Sequence, residues 1–187
     1  MKSTLLEVRL EKNFDTGEFK VGASWLKQFL WYFSDVCLFK SKLIPLSSVL
    51  VIILRLFGAQ IGKQVRIKPG IHIKYPWKLK VGDFSWLADC YIENLDWVHI
   101  GNNCCISQQA MLMTGNHNFA SKKFDLFTKP ICIENGVWVG ARSNIAPGVT
   151  AYSHAVLAFG STATEDLEAF GIYQGNPATQ IKRRSIK

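Results

Sequence analysis

The sequence predicts an all-β domain built as a parallel β-helix of triangular section, preceded by a short helical segment at the N-terminus. The main evidence is an aliphatic residue at every sixth position from Ile61 onward, a period that fits neither an α-helix nor one long strand. A small residue follows many of these positions, as in Ile61-Gly62 and Val139-Gly140. Short strands that turn a corner every six residues, with about 18 residues in each three-sided coil, produce this pattern.

The repeat also predicts which side chains face the core. The aliphatic positions fall in four blocks: Ile61, Ile67 and Ile73; Val81 and Leu87; Ile100, Ile106 and Leu112; Ile133, Val139 and Ile145. The pattern weakens through Ala151, Leu157 and Ala163, so we expect about five coils. Chance alternation in a β-sandwich is the alternative, and the runs of matches within each block disfavour it.

The repeat is interrupted at two places. Glu93 stands where an aliphatic residue is expected after Leu87, and the register resumes at Ile100. The longer interruption, residues 114–130, reads TGNHNFASKKFDLFTKP and predicts a loop ejected from the solenoid, a kind of loop that often carries function.

The ends of the chain differ in composition from the repeat. We expect an N-terminal extension and hydrophobic helical cap over residues 1–57, the β-helix over 58–167 and a basic tail over 168–187. Residues 25–57 are rich in aromatic and aliphatic side chains, but the longest uncharged stretch is too short for a spanning helix, which needs about 20 residues. The segment therefore predicts either a buried cap or a helix lying in the plane of a membrane, with peripheral membrane contact.

The composition of the sequence limits which binding partners and which cellular compartment we expect. The charges spread through the first 24 residues predict no signal peptide. The net charge is +8, but Lys and Arg are scattered apart from residues 182–184, so we expect no nucleic-acid partner. The five cysteines show no CxxC pair and the four histidines are far apart, so we expect reduced thiols, no metal, and a cytoplasmic protein, with the inner face of the membrane as the alternative location.

Several segments of the repeat resemble the hexapeptide-repeat acyltransferases, in particular the sugar O-acetyltransferases of the colanic-acid biosynthesis type. These segments are RLFGAQIGKQVRI, VHIGNNCCIS, MLMTGNHNF, TKPICIENGVWVGARSNIAPGV and YQGNPATQIKRR, which together span residues 54–184. The resemblance implies a left-handed β-helix, which the residues alone would not indicate because parallel crossovers are generally right-handed. It also implies a homotrimer that uses acetyl-CoA as co-substrate.

The resemblance assigns the general base to His117, on the ejected loop. Transfer from a thioester to a hydroxyl requires a group that accepts a proton near neutral pH, and an imidazole is suited to this. Residues lining the acceptor site would be Glu93 and Asn94, at the first interruption, with Asn116 and Asn118 on either side of the histidine. Relatives often carry an acidic residue at the position of Asn118.

The resemblance places acetyl-CoA in a groove between two subunits, beside the last coils. The groove residues that it implies are Trp138, Gly140, Ala141, Ala158, Gly160, Lys182 and Arg183. The family usually has cations where this chain has Glu165 and Thr179, so we expect the basic cluster that ends with Arg184 to meet the CoA phosphates instead.

These observations predict an acetyl-CoA-dependent O-acetyltransferase whose acceptor is a hydroxyl of a sugar or glycan precursor. The alternative is a non-catalytic β-helix protein, a scaffold or membrane-associated partner that has lost cofactor binding. Glu165, Thr179 and Asn118 are the departures that favour this alternative.

Overall fold

The computed structural model describes Leu10 and residues 16–186, which form a helical segment followed by a three-sided solenoid. The helical segment contains α1 (Trp25–Ser34), a π-helical turn (Asp35–Lys40) and α2 (Ser47–Leu56). One further short helical turn, Pro76–Lys78, lies within the solenoid.

The solenoid has three parallel sheets, one for each side of the coil. The first side contains β1 (Gln60–Ile61), β4 (Leu79–Val81), β7 (Val98–Ile100), β12 (Ile131–Ile133) and β15 (Thr150–Ala151). The second contains β2 (Arg66–Ile67), β5 (Trp86–Leu87), β8 (Cys105–Ile106), β13 (Trp138–Val139), β16 (Val156–Leu157) and β18 (Gly171–Gly175), closed by the antiparallel β19 (Ala178–Arg183). The third contains β3 (His72–Ile73), β6 (Tyr91–Glu93), β9 (Met111–Met113), β14 (Asn144–Ile145) and β17 (Thr162–Ala163). The result is five complete coils and a partial sixth.

The aliphatic positions of the repeat form the core, as the sequence predicts. All of them, from Ile61 to Ala163, are buried, and none is more than 8% exposed. Successive coils bring equivalent positions into register, so that Val139 pairs with Ile106 on one side and with Leu157 on the other. Each strand contributes one or two inward side chains, and the stack of coils makes one continuous core.

One corner of the prism depends on glycine because neighbouring coils approach closely there. A Cβ at Gly82 would lie 2.6 Å from the backbone of Gly101 in the next coil. The residues that follow these glycines join the coils: Asn102 Oδ1 accepts from the Asp83 N–H at 2.7 Å, and Asn135 Oδ1 accepts from the Asn102 N–H at 2.8 Å. The small residues of the repeat thus allow coil-to-coil hydrogen bonds.

The first interruption of the repeat is a shift of one residue, because the inward residue of this strand is Ile92 rather than Glu93. Ile92 is fully buried and pairs with Ile73 and Leu112 in the neighbouring coils. The corner after Leu87 is one residue shorter than a regular hexad, and the Cys90 N–H closes it on the Ala88 carbonyl at 2.8 Å. The core position is thus filled one residue early, and Glu93 points outward.

The second interruption is a hairpin that leaves the solenoid between the third and fourth coils. Its strands are β10 (Gly115–His117) and β11 (Leu126–Thr128), paired antiparallel. Paired residues of adjacent coils are ordinarily 18 to 20 positions apart, as for Cys132 with Thr150, whereas Val98 pairs with Ile131 across the hairpin. The solenoid resumes in register because the insertion begins and ends at one corner.

The helical segment covers the open edge of the first coil. Helix α2 buries Leu50, Val51 and Leu54, and the hydroxyl of Ser47 at its start accepts from the Ile67 N–H at 2.7 Å. The Phe39 carbonyl accepts from the Gly70 N–H at 3.0 Å. These contacts satisfy backbone groups that an uncovered edge would expose to pairing with other chains. No helix within the described part of the chain is long and apolar enough to cross a membrane.

Candidate active site

His117 lies at the end of β10, opposite Leu126. Its Nδ1 is 2.7 Å from the Phe124 carbonyl oxygen, and its ring stacks on the Phe124 ring with centroids 4.6 Å apart and planes 11° from parallel. A carbonyl oxygen can only accept, so Nδ1 carries the proton and Nε2 carries the lone pair of the neutral imidazole. The hairpin thus fixes both the tautomer and the plane of the ring.

The tip of the hairpin is built to hold this carbonyl in place. The Asn118 N–H donates to the Asp125 carbonyl at 2.8 Å, and the Asn118 side chain accepts from the Ala120 N–H at 3.1 Å. Phe124 has a φ of +54°, a left-handed backbone conformation in the turn that presents its carbonyl to His117. Asn116 is exposed and its Oδ1 accepts from the His117 N–H. Asn116 and Asn118 therefore flank His117 along the chain with their side chains bonded to backbone groups, and their acceptor-binding role stays a prediction.

Glu93 and Asn94 have well-defined partners outside the hairpin. The Glu93 carboxylate lies 2.8 Å from Lys74 Nζ and 3.4 Å from His72 Nε2. The Asn94 side chain is fully buried, and it accepts from the Tyr75 N–H and donates to the Tyr75 carbonyl. The link to the hairpin is through the backbone, because the Glu93 carbonyl accepts from the Thr114 N–H and hydroxyl.

His72 is the centre of a charged cluster that joins the helical segment to the solenoid. Its Nδ1 lies 3.7 Å from Asp35 and its Nε2 faces Glu93. Burial lowers the pKa of His72, but the neighbouring carboxylates of Asp35 and Glu93 outweigh burial and raise that pKa above its ordinary value. Burial would raise the pKa of Glu93, but the neighbouring His72 and Lys74 bring it down to about 2.

The cluster makes thermal stability depend on pH in two windows. The contribution of charged His72 is complete below its ordinary pKa of 6.5 and is lost as pH rises through the raised folded-state pKa. The contribution of Glu93 is present above pH 4.5 and is lost as pH falls toward 2.

We expect His72→Gln to abolish the decline in melting temperature above pH 6.5, whereas His154→Gln should retain it. A variant at His72 with the wild-type alkaline slope would contradict this assignment.

A pocket of about 470 Å³ lies against the second strand of the hairpin. The solenoid contributes Asp96, Trp97 and Lys78 to its lining, and the hairpin contributes Phe127. Asp96 is held at the base of the hairpin, because its N–H donates to the Thr114 hydroxyl at 2.9 Å. Aromatic rings combined with charged groups suit a polar ligand that has apolar faces. Asp96 and Trp97 are not among the residues that the sequence predicts for a site, although they directly follow the first interruption of the repeat.

A second groove, of about 550 Å³, runs along the last coils. Five of the predicted donor-site residues line it: Trp138, Gly140, Ala141, Ala158 and Lys182. A Cβ at Gly140 would lie 2.7 Å from the Leu157 carbonyl, so a larger residue there would strain the packing of adjacent coils. The Trp138 Nε1 donates to the Ser107 hydroxyl at 3.0 Å, which holds the indole in the lining of the groove.

The basic end of this groove contains Lys182, one of the two basic residues that the resemblance implies. Lys182 and Arg184 line it, whereas Arg183 and Gly160 are not part of its lining. Arg184 also donates to the Gly136 carbonyl at 2.8 Å, which anchors it to the fourth coil. Side chains alternate between the two faces of a strand, so residues 182 and 184 share a face that residue 183 does not.

The hairpin and the groove lie at different corners of the three-sided solenoid. The hairpin lies between β9 on the third side and β12 on the first side. The groove residues Ser107, Gly140 and Ala158 follow strands of the second side, so they lie at the corner between the second and third sides. Within one chain, His117 and the groove therefore occupy two separate edges of the solenoid.

The remaining histidines have structural contacts. His99 stacks on Trp97 and His154 stacks on Phe170. Burial lowers the pKa of His99, and the charge of Lys80 lowers it further. Among the described residues, no group of three His, Cys, Asp or Glu is placed to hold a metal ion.

Comparison with known proteins gives close matches in sequence. No family model matches the chain. The chain is 37% identical over 164 residues to a protein of Escherichia coli (strain K12) named colanic acid biosynthesis acetyltransferase WcaF, and the match covers 87% of this chain and 90% of the relative. It is 29% identical over 129 residues to the galactoside O-acetyltransferase of the same organism, with 66% of this chain and 63% of that protein covered.

Two solved structures with the same fold are of acetyltransferases. A maltose O-acetyltransferase from Clostridium difficile 630 aligns with a TM-score of 0.78 and 24% identity, over 86% of this chain and 88% of that chain. A hexapeptide-repeat-containing acetyltransferase of Vibrio cholerae, solved with acetyl coenzyme A, aligns with a TM-score of 0.77 and 19% identity, over 90% and 93%. The shared architecture is the left-handed parallel β-helix. The chain therefore belongs to the hexapeptide-repeat acetyltransferases, as its match to WcaF, its hexad core and its hairpin together establish.

Proposed function

We propose that the protein transfers an acetyl group from acetyl-CoA to a hydroxyl of a sugar or glycan precursor, with His117 as the general base. The observation that carries this proposal is the hydrogen bond from His117 Nδ1 to the Phe124 carbonyl, which leaves the basic lone pair on Nε2. The names of the relatives, which include a galactoside and a maltose O-acetyltransferase, support a sugar acceptor.

The reaction needs no covalent enzyme intermediate. His117 Nε2 takes the proton from the acceptor hydroxyl as its oxygen attacks the thioester carbonyl carbon. The tetrahedral oxyanion then collapses, the carbon–sulfur bond breaks, and the thiolate of CoA leaves and takes up the proton from the imidazolium. We propose the pocket beside Phe127 and Asp96 as the acceptor site, because it lies against the strand paired with that of His117. His117 and the predicted acceptor residues Glu93, Asn94, Asn116 and Asn118 border this pocket along the chain but are not part of its lining.

We propose that the active site is shared between subunits of a homotrimer. The donor groove and the hairpin lie at different corners of one prism, so a neighbouring copy must bring the hairpin of one chain to the groove of another. Closed threefold association gives every chain one such contact on each side. The relative solved with acetyl coenzyme A supports acetyl-CoA as the donor.

We also propose a cytoplasmic location. All five cysteines are unpaired in the structure, and Cys90 and Cys104 are buried. Burial raises the pKa of the Cys90 thiol to about 12, so this thiol is a structural group rather than a nucleophile. A reducing compartment keeps such thiols in this form.

Isothermal titration with CoA tests the donor site directly. Wild-type protein should bind CoA, and Lys182→Glu should weaken binding at least about tenfold, because it places a negative charge where the groove meets the phosphates. Arg183→Glu is the matched control, because it makes the same charge change beside the groove. Absence of heat with wild-type protein would favour a non-catalytic scaffold, and equal losses in both variants would reject the specific role of Lys182.

A further inference from the structure

Helix α1 exposes an apolar face that the solenoid does not use. Trp31 is the only buried side chain of this helix. Trp25, Phe29 and Phe33 are 75%, 52% and 49% exposed, and their rings form a row with centroids 6.4 and 4.8 Å apart. Scattered apolar side chains on a surface are ordinary, whereas a connected row of this kind marks an interaction surface.

The spacing of these residues places them along one side of the helix. The three rings recur every fourth residue, and Leu26 and Leu30, which are also about half exposed, follow one position after them. These five side chains, the α1 face, therefore form one stripe along the helix. On another side of the helix, Trp31 packs against Phe39 and Phe57 and donates its Nε1 to the Ile73 carbonyl.

The exposed charges around the α1 face are positive. Asp35 is the only acidic residue in 25–57, and it is 5% exposed and paired with Lys40 at 2.8 Å. Lys40 and Lys42 are exposed at the end of the π-helical turn that continues α1. An apolar stripe with aromatic rings and nearby lysines suits a surface that has an apolar interior and anionic groups above it.

We propose that α1 lies in the interface of a membrane that contains anionic lipids, with the α1 face among the acyl chains and Lys40 and Lys42 at the headgroups. The charges argue against a twofold contact between the α1 faces of two copies, because it would bring two sets of lysines together with no exposed acidic residue in 25–57 to oppose them. The proposal does not depend on acetyl transfer, since membrane binding requires neither acetyl-CoA nor His117.

Co-sedimentation of the full-length protein with vesicles tests the proposal. Wild-type protein should bind vesicles of phosphatidylcholine mixed with phosphatidylglycerol more strongly than vesicles of phosphatidylcholine alone. The double variant Trp25→Ser/Phe29→Ser should lose at least about tenfold in binding to the mixed vesicles. Lys42→Asn should weaken binding to the mixed vesicles alone, and added salt should have the same effect.

Two controls keep the result specific. Phe84→Ser removes a ring that is 42% exposed on the second coil, and it should leave vesicle binding unchanged. Thermal unfolding of the double variant should match that of wild type, because its two side chains are exposed. Failure of wild-type protein to bind the mixed vesicles, or equal binding by the double variant, would overturn the proposal. Sedimentation velocity in which the double variant alone loses self-association would also overturn it and identify a second copy as the occupant.

Discussion

Replacing His117 with alanine should lower kcat at least about a hundredfold, which corresponds to about 2.7 kcal/mol of lost transition-state stabilisation. The reason is that the variant lacks the group whose Nε2 accepts the hydroxyl proton. The KM for acetyl-CoA should change little, because His117 accepts the proton of the acceptor hydroxyl, whereas other residues line the donor groove. Steady-state kinetics with a soluble sugar acceptor separates the two parameters.

The pH profile and a matched variant sharpen this test. The wild-type rate should fall on the acid side as the imidazole becomes protonated, because only the neutral ring accepts a proton. His154→Ala should stay within a fewfold of wild type, since His154 stacks on Phe170 in the last coils and lies outside the hairpin. Near-normal turnover by His117→Ala would reject the assignment of the base.

The core was predictable from the sequence because each coil repeats the same contacts. Ile106 and Val139 occupy equivalent positions in adjacent coils, so one pattern of burial recurs and the sequence shows it as a period of six. The hairpin was predictable for the converse reason, since residues 114–130 lack that period. His117 was identified through the resemblance of its motif, and the structure adds the hydrogen bond that fixes its tautomer.

The first interruption lies where the period changes by one residue. Counting in sixes finds Glu93 where an aliphatic residue is expected, whereas the shorter corner after Leu87 turns Ile92 inward. The six-residue pattern does not indicate that the corner is shortened by the hydrogen bond from the Cys90 N–H to the Ala88 carbonyl. Consequently the sequence could not show that the Glu93 carboxylate meets His72 and Lys74.

The basic end of the groove was uncertain for a related reason. Strand β19 returns antiparallel to β18, and its register shifts by one residue between Ile172 and Tyr173. Such a bulge changes which side chains share a face, and no residue type at this place announces it. The choice of Arg184 over Arg183 as a groove residue therefore required the structure.

The separation of hairpin and groove gives the second large prediction. Two variants should each be inactive: His117→Ala, which lacks the base, and Ala158→Trp, which fills the groove. Co-expression of the two chains with different tags should restore activity, because some contacts between subunits then pair an intact hairpin with an intact groove. Random assembly makes about a quarter of the contacts competent, so purified mixed oligomers should recover about a quarter of wild-type activity.

This recovery distinguishes a shared site from one contained in a single chain. If His117 acted on the groove of its own chain, every subunit in the mixture would lack either the base or the groove, and no activity would return. Mixing the two variants after separate purification, without exchange of subunits, is the control and should give no activity. Activity from co-expressed chains requires a neighbouring copy to complete the site, as expected from a hairpin between β9 and β12 and a groove that follows β13 and β16.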